Sequence, residues 1–79
     1  MRDWQEYIPE NADTCTIRRR TCNRNFEYRC TLLQAGQVIK EFVISDQYLS
    51  FEEIKAFQDL ILAREKMGLK LILTNEAAV

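Results

Sequence analysis

The segment from Leu49 to Gly68 carries the signals of one amphipathic helix, and this helix limits what the rest of the chain can form. Ser50 followed by Glu53 is a capping box, which satisfies backbone N–H groups in the first turn. Apolar residues then recur at the spacing of one helix face, at Ile54, Phe57 and Ile61. Gly68 suits the end of the helix, because glycine adopts the left-handed conformation at low cost. The pattern predicts a helix over residues 51–67.

The segments outside this helix have the pattern of β-strands. Strand signals are alternating apolar and polar residues or short β-rich runs, and they occur at 14–21, 26–33, 38–44 and 69–74. Tight turns between the first three predict a three-stranded meander, and a short helical turn capped by Asp3 precedes it. The expected fold is α+β: a small single-layer, mostly antiparallel sheet packed on one helix. The position of the fourth strand in the sheet is left open.

The turns also predict how the strands pair. An even-numbered loop within 22–25 keeps the arginines at 18 and 20 off the core face. The pairs expected in this first hairpin are Thr21–Phe26, Arg19–Tyr28, Ile17–Cys30 and Cys15–Leu32. A three-residue loop over 34–36 would use glycine in the left-handed position of a bulge. The pairs expected in this second hairpin are Leu33–Gln37, Tyr28–Phe42, Phe26–Ile44 and Arg29–Glu41.

Length and charge narrow the class of protein. Seventy-nine residues fit one domain, over 1–79, and 47% hydrophobic with 29% charged residues is typical of a folded chain. A formal net charge of −1 argues against a generic polyanion binder. No apolar run approaches the roughly 20 residues that span a bilayer, and no signal peptide is visible. The expectation is a cytoplasmic protein without a membrane partner.

The residues that usually carry chemistry are sparse. The chain has no histidine, so the usual general base near neutral pH is missing. The spacing of Cys15, Cys22 and Cys30 does not present paired thiolates to zinc, and their odd number excludes a complete disulfide framework within the chain. No glycine-rich phosphate loop or nucleophile motif occurs. We therefore expect no enzyme activity, no cofactor and no metal, and reduced cysteines.

The most unusual segment is residues 16–30, with five arginines among its fifteen residues. On the predicted strands, Arg18, Arg20 and Arg29 lie on the sheet surface opposite the helix, here called the arginine face. It also carries the β-branched residues Ile39, Val43 and Ile72, and an apolar sheet surface mixed with arginine is typical of an interface. The candidate partner-binding residues are Arg18, Arg20, Arg24, Arg29, Ile39, Glu41 and Val43.

Three other interpretations of this surface stay open. It could be a solvated face on which Glu27 and Glu41 partner the arginines. The N-terminal residues Trp4, Tyr7 and Ile8 could fold back and cover it. It could also bind nucleic acid, although sheet readers of single strands use exposed aromatic side chains, which this face is not predicted to carry.

Together these features favour a non-enzymatic protein-binding module. It resembles the small inhibitors that phages and mobile elements encode, such as anti-CRISPR proteins. The resemblance covers the whole chain and consists of small size, near-neutral charge and a few strands on one helix, without a shared motif. That resemblance implies docking on a host defence complex and steric blocking. The alternatives are a small nucleic-acid-binding domain that uses the arginine-rich hairpin, and a homodimeric adaptor subunit.

Overall fold

A computed structural model describes residues 3–76, apart from the side chain of Cys22, and confirms the predicted α+β fold. A short 3-10 turn precedes a four-stranded sheet and one helix. The elements are the turn Trp4–Glu6, β1 (Thr14–Cys22), β2 (Asn25–Gln34), β3 (Gln37–Ser45), α1 (Phe51–Lys66) and β4 (Lys70–Asn75). The strand order is β3-β2-β1-β4. Each predicted segment lies within one or two residues of these bounds.

The first hairpin has the predicted register. All four expected pairs of β1 and β2 are present, from Cys15 with Leu32 to Thr21 with Phe26. The turn uses Asn23 with a φ of 57°. Asparagine tolerates this left-handed conformation better than most residues. The two-residue loop therefore keeps Ile17 facing the core and Arg18 facing away from it.

The predicted register of the second hairpin is wrong. Instead of a three-residue loop, Ala35 and Gly36 alone form the turn, with φ values of 52° and 81°. Two left-handed residues make a turn whose twist matches that of the flanking strands. The pairing then shifts at a bulge next to Leu33, where Ile39 is the extra residue.

The correction changes which residues are neighbours across β2 and β3. Arg29 lies opposite Val43, and Glu41 lies opposite Thr31 instead of Arg29. The remaining observed pairs that differ from the prediction are Leu33–Val38, Tyr28–Ile44 and Cys30–Phe42. From Lys40 onward the shift amounts to two residues, so these side chains stay on their predicted side of the sheet. Val38 is shifted by one residue, opposite Leu33, and therefore changes side.

β4 lies at the edge of the sheet, parallel to β1, with Thr16 opposite Ile72. The chain reaches this position through α1, whose N-cap is Ser50 as predicted: its Oγ accepts a 3.2 Å hydrogen bond from the Glu53 backbone N–H. Gly68 follows the helix with a φ of 112°. The helix therefore crosses one face of the sheet between β3 and β4.

The core lies between the sheet and α1. Ile54, Phe57 and Ile61 are buried along the helix, as the spacing predicted. The Phe57 ring lies 5.4 Å from that of Trp4 and 5.9 Å from that of Phe42, measured between centroids. Trp4 thus packs on the helix side of the sheet.

The rest of the N-terminal segment follows Trp4 to the same side. The Tyr7 ring meets the Phe42 ring edge-on at 5.2 Å, and Ile8 is fully buried. The Arg64 guanidinium of α1 donates hydrogen bonds of 2.8 and 2.7 Å to the carbonyls of Ile8 and Pro9. This segment is therefore part of the core and does not cover the arginine face. Between residues 3 and 76, no helix is long and apolar enough to cross a membrane.

Candidate functional site

The centre of the arginine face is built by β1 and β2. Arg18 and Arg29 lie directly opposite each other, and Arg20 lies opposite Glu27. The side chains of Arg18 and Arg29 are each about half exposed. The alternation of the two strands brings these arginines together, because side chains two residues apart share one face.

Two carboxylates of the same face partner these arginines. Glu27 Oε2 lies 3.2 Å from the Nε of Arg29. Glu76, just after β4, places Oε1 3.8 Å from the Nε of Arg18. Exposed ion pairs of this kind contribute only about 0–1 kcal/mol. These two ion pairs therefore restrain the arginine side chains only weakly.

A shallow depression of about 250 Å³ lies beside the two arginines. It brings together four of the seven predicted binding residues, and it also involves Thr31 and the strand segments around Cys30 and Phe42. The four are Arg18, Arg29, Glu41 and Val43. Val43 is 52% exposed, which leaves an apolar surface between charged groups. The depression therefore offers cationic, anionic and apolar contacts within one area.

The remaining predicted residues are placed differently. Arg20 is partly buried next to Glu27, so it lies on the face but outside the depression. Arg24 is exposed in the turn between β1 and β2. Ile39 occupies the bulge near the opposite end of β2 and packs partly against the core. About eight strand residues, or roughly 25 Å, separate these two ends. The structure does not bring Arg24 and Ile39 to one site.

Two exposed apolar residues add to the arginine face. Val38 pairs with Leu33 between the turn and the bulge, and Ile72 of β4 pairs with Thr16. The sequence placed Ile72 on this face. The sequence did not predict Val38 on this face, because its orientation depends on the bulge, which the predicted three-residue turn did not include.

A second surface lies on the other side of the sheet. An apolar groove of about 420 Å³, here called the α1–β4 groove, runs between Phe57, Ile61 and Leu62 of the helix and Leu71 and Leu73 of β4. Its polar rim includes Arg19, Gln58, Thr74 and Asn75. Leu73 is 69% exposed and Leu62 51% exposed. Leu73 shares its strand face with Leu69, which is buried, so the helix covers the beginning of β4 better than its end.

Two exposed aromatic residues also escaped the sequence prediction. Tyr48 precedes α1 and Phe51 begins it, and each is 79% exposed. Phe51 lies three residues before the buried Ile54, a spacing that by itself suggests a shared buried face. Periodicity does not reveal this exposure, because it contains no information on where the sheet beneath the helix ends.

The described cysteines are buried and unreactive in character. Cys15 and Cys30 are free thiols on the core side of the hairpin, and the prediction for Cys22 lies outside the described side chains. Burial raises the pKa of Cys15 from 9.0 to about 11. Burial, together with the neighbouring Cys15, raises the pKa of Cys30 to about 12. A thiolate is the reactive form, so neither group is suited to nucleophilic chemistry near neutral pH.

These pKa shifts predict that the fold loses stability in alkaline solution. Above pH 9.0 the unfolded thiols lose their protons while the folded ones keep them, up to about pH 11 for Cys15. The unfolded state then binds fewer protons, so the free energy of unfolding falls as pH rises. Urea midpoints measured on both sides of pH 9.0 should show this fall. A variant with Cys15→Ala and Cys30→Ala should show a smaller one. If the urea midpoints of the two proteins depended equally on pH, the loss of stability would not come from Cys15 and Cys30.

Within residues 3–76, no group of three or more Cys, Asp or Glu side chains could hold a metal ion. Comparisons with known proteins identify no relative: no family model, no curated protein and no solved structure matches the chain. No relative therefore assigns a class to the fold or to the arginine face.

Proposed function

We propose that the chain is a non-enzymatic protein-binding module that docks through the arginine face. The depression beside Arg18 and Arg29 carries this proposal, because it combines half-exposed guanidinium groups with the exposed Val43. Arginine is enriched in protein interfaces and dominates many of them when it becomes desolvated. The partner surface is expected to be apolar with a few carboxylates.

The charges of the face favour a protein partner over nucleic acid. Glu27, Glu41 and Glu76 are interspersed among the arginines, and two of them form ion pairs with arginine. A phosphate backbone would be repelled by these carboxylates, whereas a protein surface can match both signs of charge. The strand aromatics are also poorly placed for stacking on bases. Phe26, Tyr28 and Phe42 all pack against the core on the helix side.

A more specific proposal concerns which partner the module binds and how it acts. We infer steric blocking of a host complex, of the kind that small inhibitors from phages and mobile elements use. Its support is the likeness in size and make, and the buried cysteines with raised pKa values, which offer no nucleophile near neutral pH. A compact module that only has to cover a surface needs an interface and no chemistry.

A titration with labelled oligonucleotides tests the choice between protein and nucleic acid. We expect neither single- nor double-stranded DNA or RNA to bind more tightly than about 10 μM at low salt, where a dedicated binder would be far tighter. Tight binding that weakens steeply with salt would contradict the proposal. If replacing Arg18 and Arg20 by glutamate removed such binding, the arginine face would be a nucleic-acid site.

A further inference from the structure

β4 is the last strand in the order β3-β2-β1-β4, and within residues 3–76 no strand pairs with its outer backbone edge. The backbone N–H groups of Lys70 and Glu76 donate to the carbonyls of Asp13, the residue just before β1, and Arg19 of β1, at 3.0 and 2.8 Å. Since alternate residues of a strand direct their N–H and C=O groups to opposite edges, even-numbered residues bond to β1. The odd-numbered residues, Leu71, Leu73 and Asn75, therefore direct theirs to the free edge of the sheet.

The two edges of the sheet differ in how they are protected. β3 contains a bulge at Ile39 and the adjacent charges Lys40 and Glu41, features that discourage pairing with another strand. β4 has no register shift in its pairing with β1, and its central residues, 71–73, are all apolar. A regular apolar edge of this kind favours the addition of a strand.

We propose that β4 pairs in antiparallel orientation with β4 of a second copy of the chain, about a twofold axis at Leu73. The free N–H and C=O groups then form three hydrogen-bonded pairs, each exchanging two bonds. Leu73 pairs with Leu73 of the second copy. Leu71 pairs with Asn75 of the second copy, and the symmetry repeats this pair. The result is one continuous sheet across both copies.

Charge complementarity selects this register. A twofold axis at Leu73 places Lys70 opposite Glu76 of the second copy, and the symmetry repeats the pair. Both residues bond to β1, so across the new junction they form a non-hydrogen-bonded pair, in which side chains approach most closely. Moving the axis to Ile72 would place Lys70 opposite Thr74 and lose both ion pairs.

The same arrangement covers exposed apolar surface. Leu73 lies on the helix side and lines the α1–β4 groove, as Leu62 does from α1. Its counterpart would enter this groove from the second copy, so both 69%-exposed side chains would be shielded. Because the axis is perpendicular to the sheet, both helices stay on one side and both arginine faces on the other.

Charge exchange between Lys70 and Glu76 tests the pairing. Sedimentation equilibrium of the wild type should show a monomer–dimer equilibrium, weak because a single strand pair is a small interface. Lys70→Glu and Glu76→Lys should each weaken the dimer about tenfold, since two exposed attractions become repulsions. The double exchange should restore it. A wild type that stays monomeric at all concentrations, or a double exchange that restores nothing, would overturn the proposal.

A second pair of variants tests whether the dimer forms through the β4 edge or the β3 edge. The Leu73 N–H points to the free edge, so Leu73→Pro removes no bond to β1, and edge strands accept proline at such positions. It should retain the far-ultraviolet circular dichroism spectrum and lose the dimer. Lys40→Glu, the same charge reversal on β3, should leave the dimer unchanged. Loss of the dimer in Lys40→Glu alone would place the interface on β3 and refute the assignment to β4.

Discussion

Replacing Phe57 by alanine is expected to lower the free energy of unfolding by about 3–5 kcal/mol, the largest stability effect of any substitution considered. Phe57 is 1% exposed and its ring contacts those of Trp4 and Phe42, from the N-terminal turn and from β3. Truncation leaves a cavity where three elements meet. Since small domains have about 5–15 kcal/mol of total stability, this variant should unfold at much lower urea concentrations.

Leu62→Ala is the matched control for this prediction, because it lies on the same helix but is 51% exposed. Its loss of stability should be about 1 kcal/mol or less, since surface substitutions have small effects. Phe57→Leu removes fewer atoms, so its loss of stability should lie between those of Phe57→Ala and Leu62→Ala. It provides a measurement at the same position if Phe57→Ala does not fold. Equal urea midpoints for Phe57→Ala and Leu62→Ala would show that the helix packs through another face.

The parts of the fold that the sequence predicted depend on local signals. The cap at Ser50, the buried spacing from Ile54 to Ile61 and the alternation of β2 each report the environment of a few consecutive residues. Such signals fix which side of an element faces the core. They also placed Arg18 and Arg29 together on the opposite face, because an even loop determines the faces of both strands.

The parts that could not be predicted depend on contacts between distant segments. The bulge at Ile39 and the turn through Ala35 together set the second hairpin, and alternation alone does not distinguish registers that differ by two residues. The pairing of β4 with β1 joins residues more than fifty positions apart. For that reason the exposure of Leu73, which follows from the edge position of β4 and the extent of the helix, was not visible in its sequence pattern.

Reversing Arg18 and Arg29 together to glutamate is expected to weaken binding to the partner by about a thousandfold. An arginine that becomes desolvated in an interface can account for about 2 kcal/mol or more, and two such losses amount to roughly three orders of magnitude in Kd. The fold should survive, because both side chains are half exposed and their ion pairs are weak. Urea denaturation should give a midpoint close to that of the wild type.

Two further variants make this result specific to the arginine face. Arg18→Ala with Arg29→Ala removes the guanidinium groups without adding repulsion between the new carboxylates and Glu27 or Glu76. It should also lose binding. Lys55→Glu with Lys66→Glu makes the same change in net charge on exposed residues of α1, on the other side of the sheet, and should bind normally.

Binding through the arginine face is measured by affinity capture of a partner from nuclease-treated cell lysate, followed by determination of Kd with the purified partner. We expect that nuclease does not release the partner. We also expect the wild type and the Lys55/Lys66 variant to bind equally, and both Arg18/Arg29 variants to fail to bind. A partner that binds all four proteins with the same Kd, or that is released by nuclease, would contradict the assignment of the arginine face as a protein-binding surface.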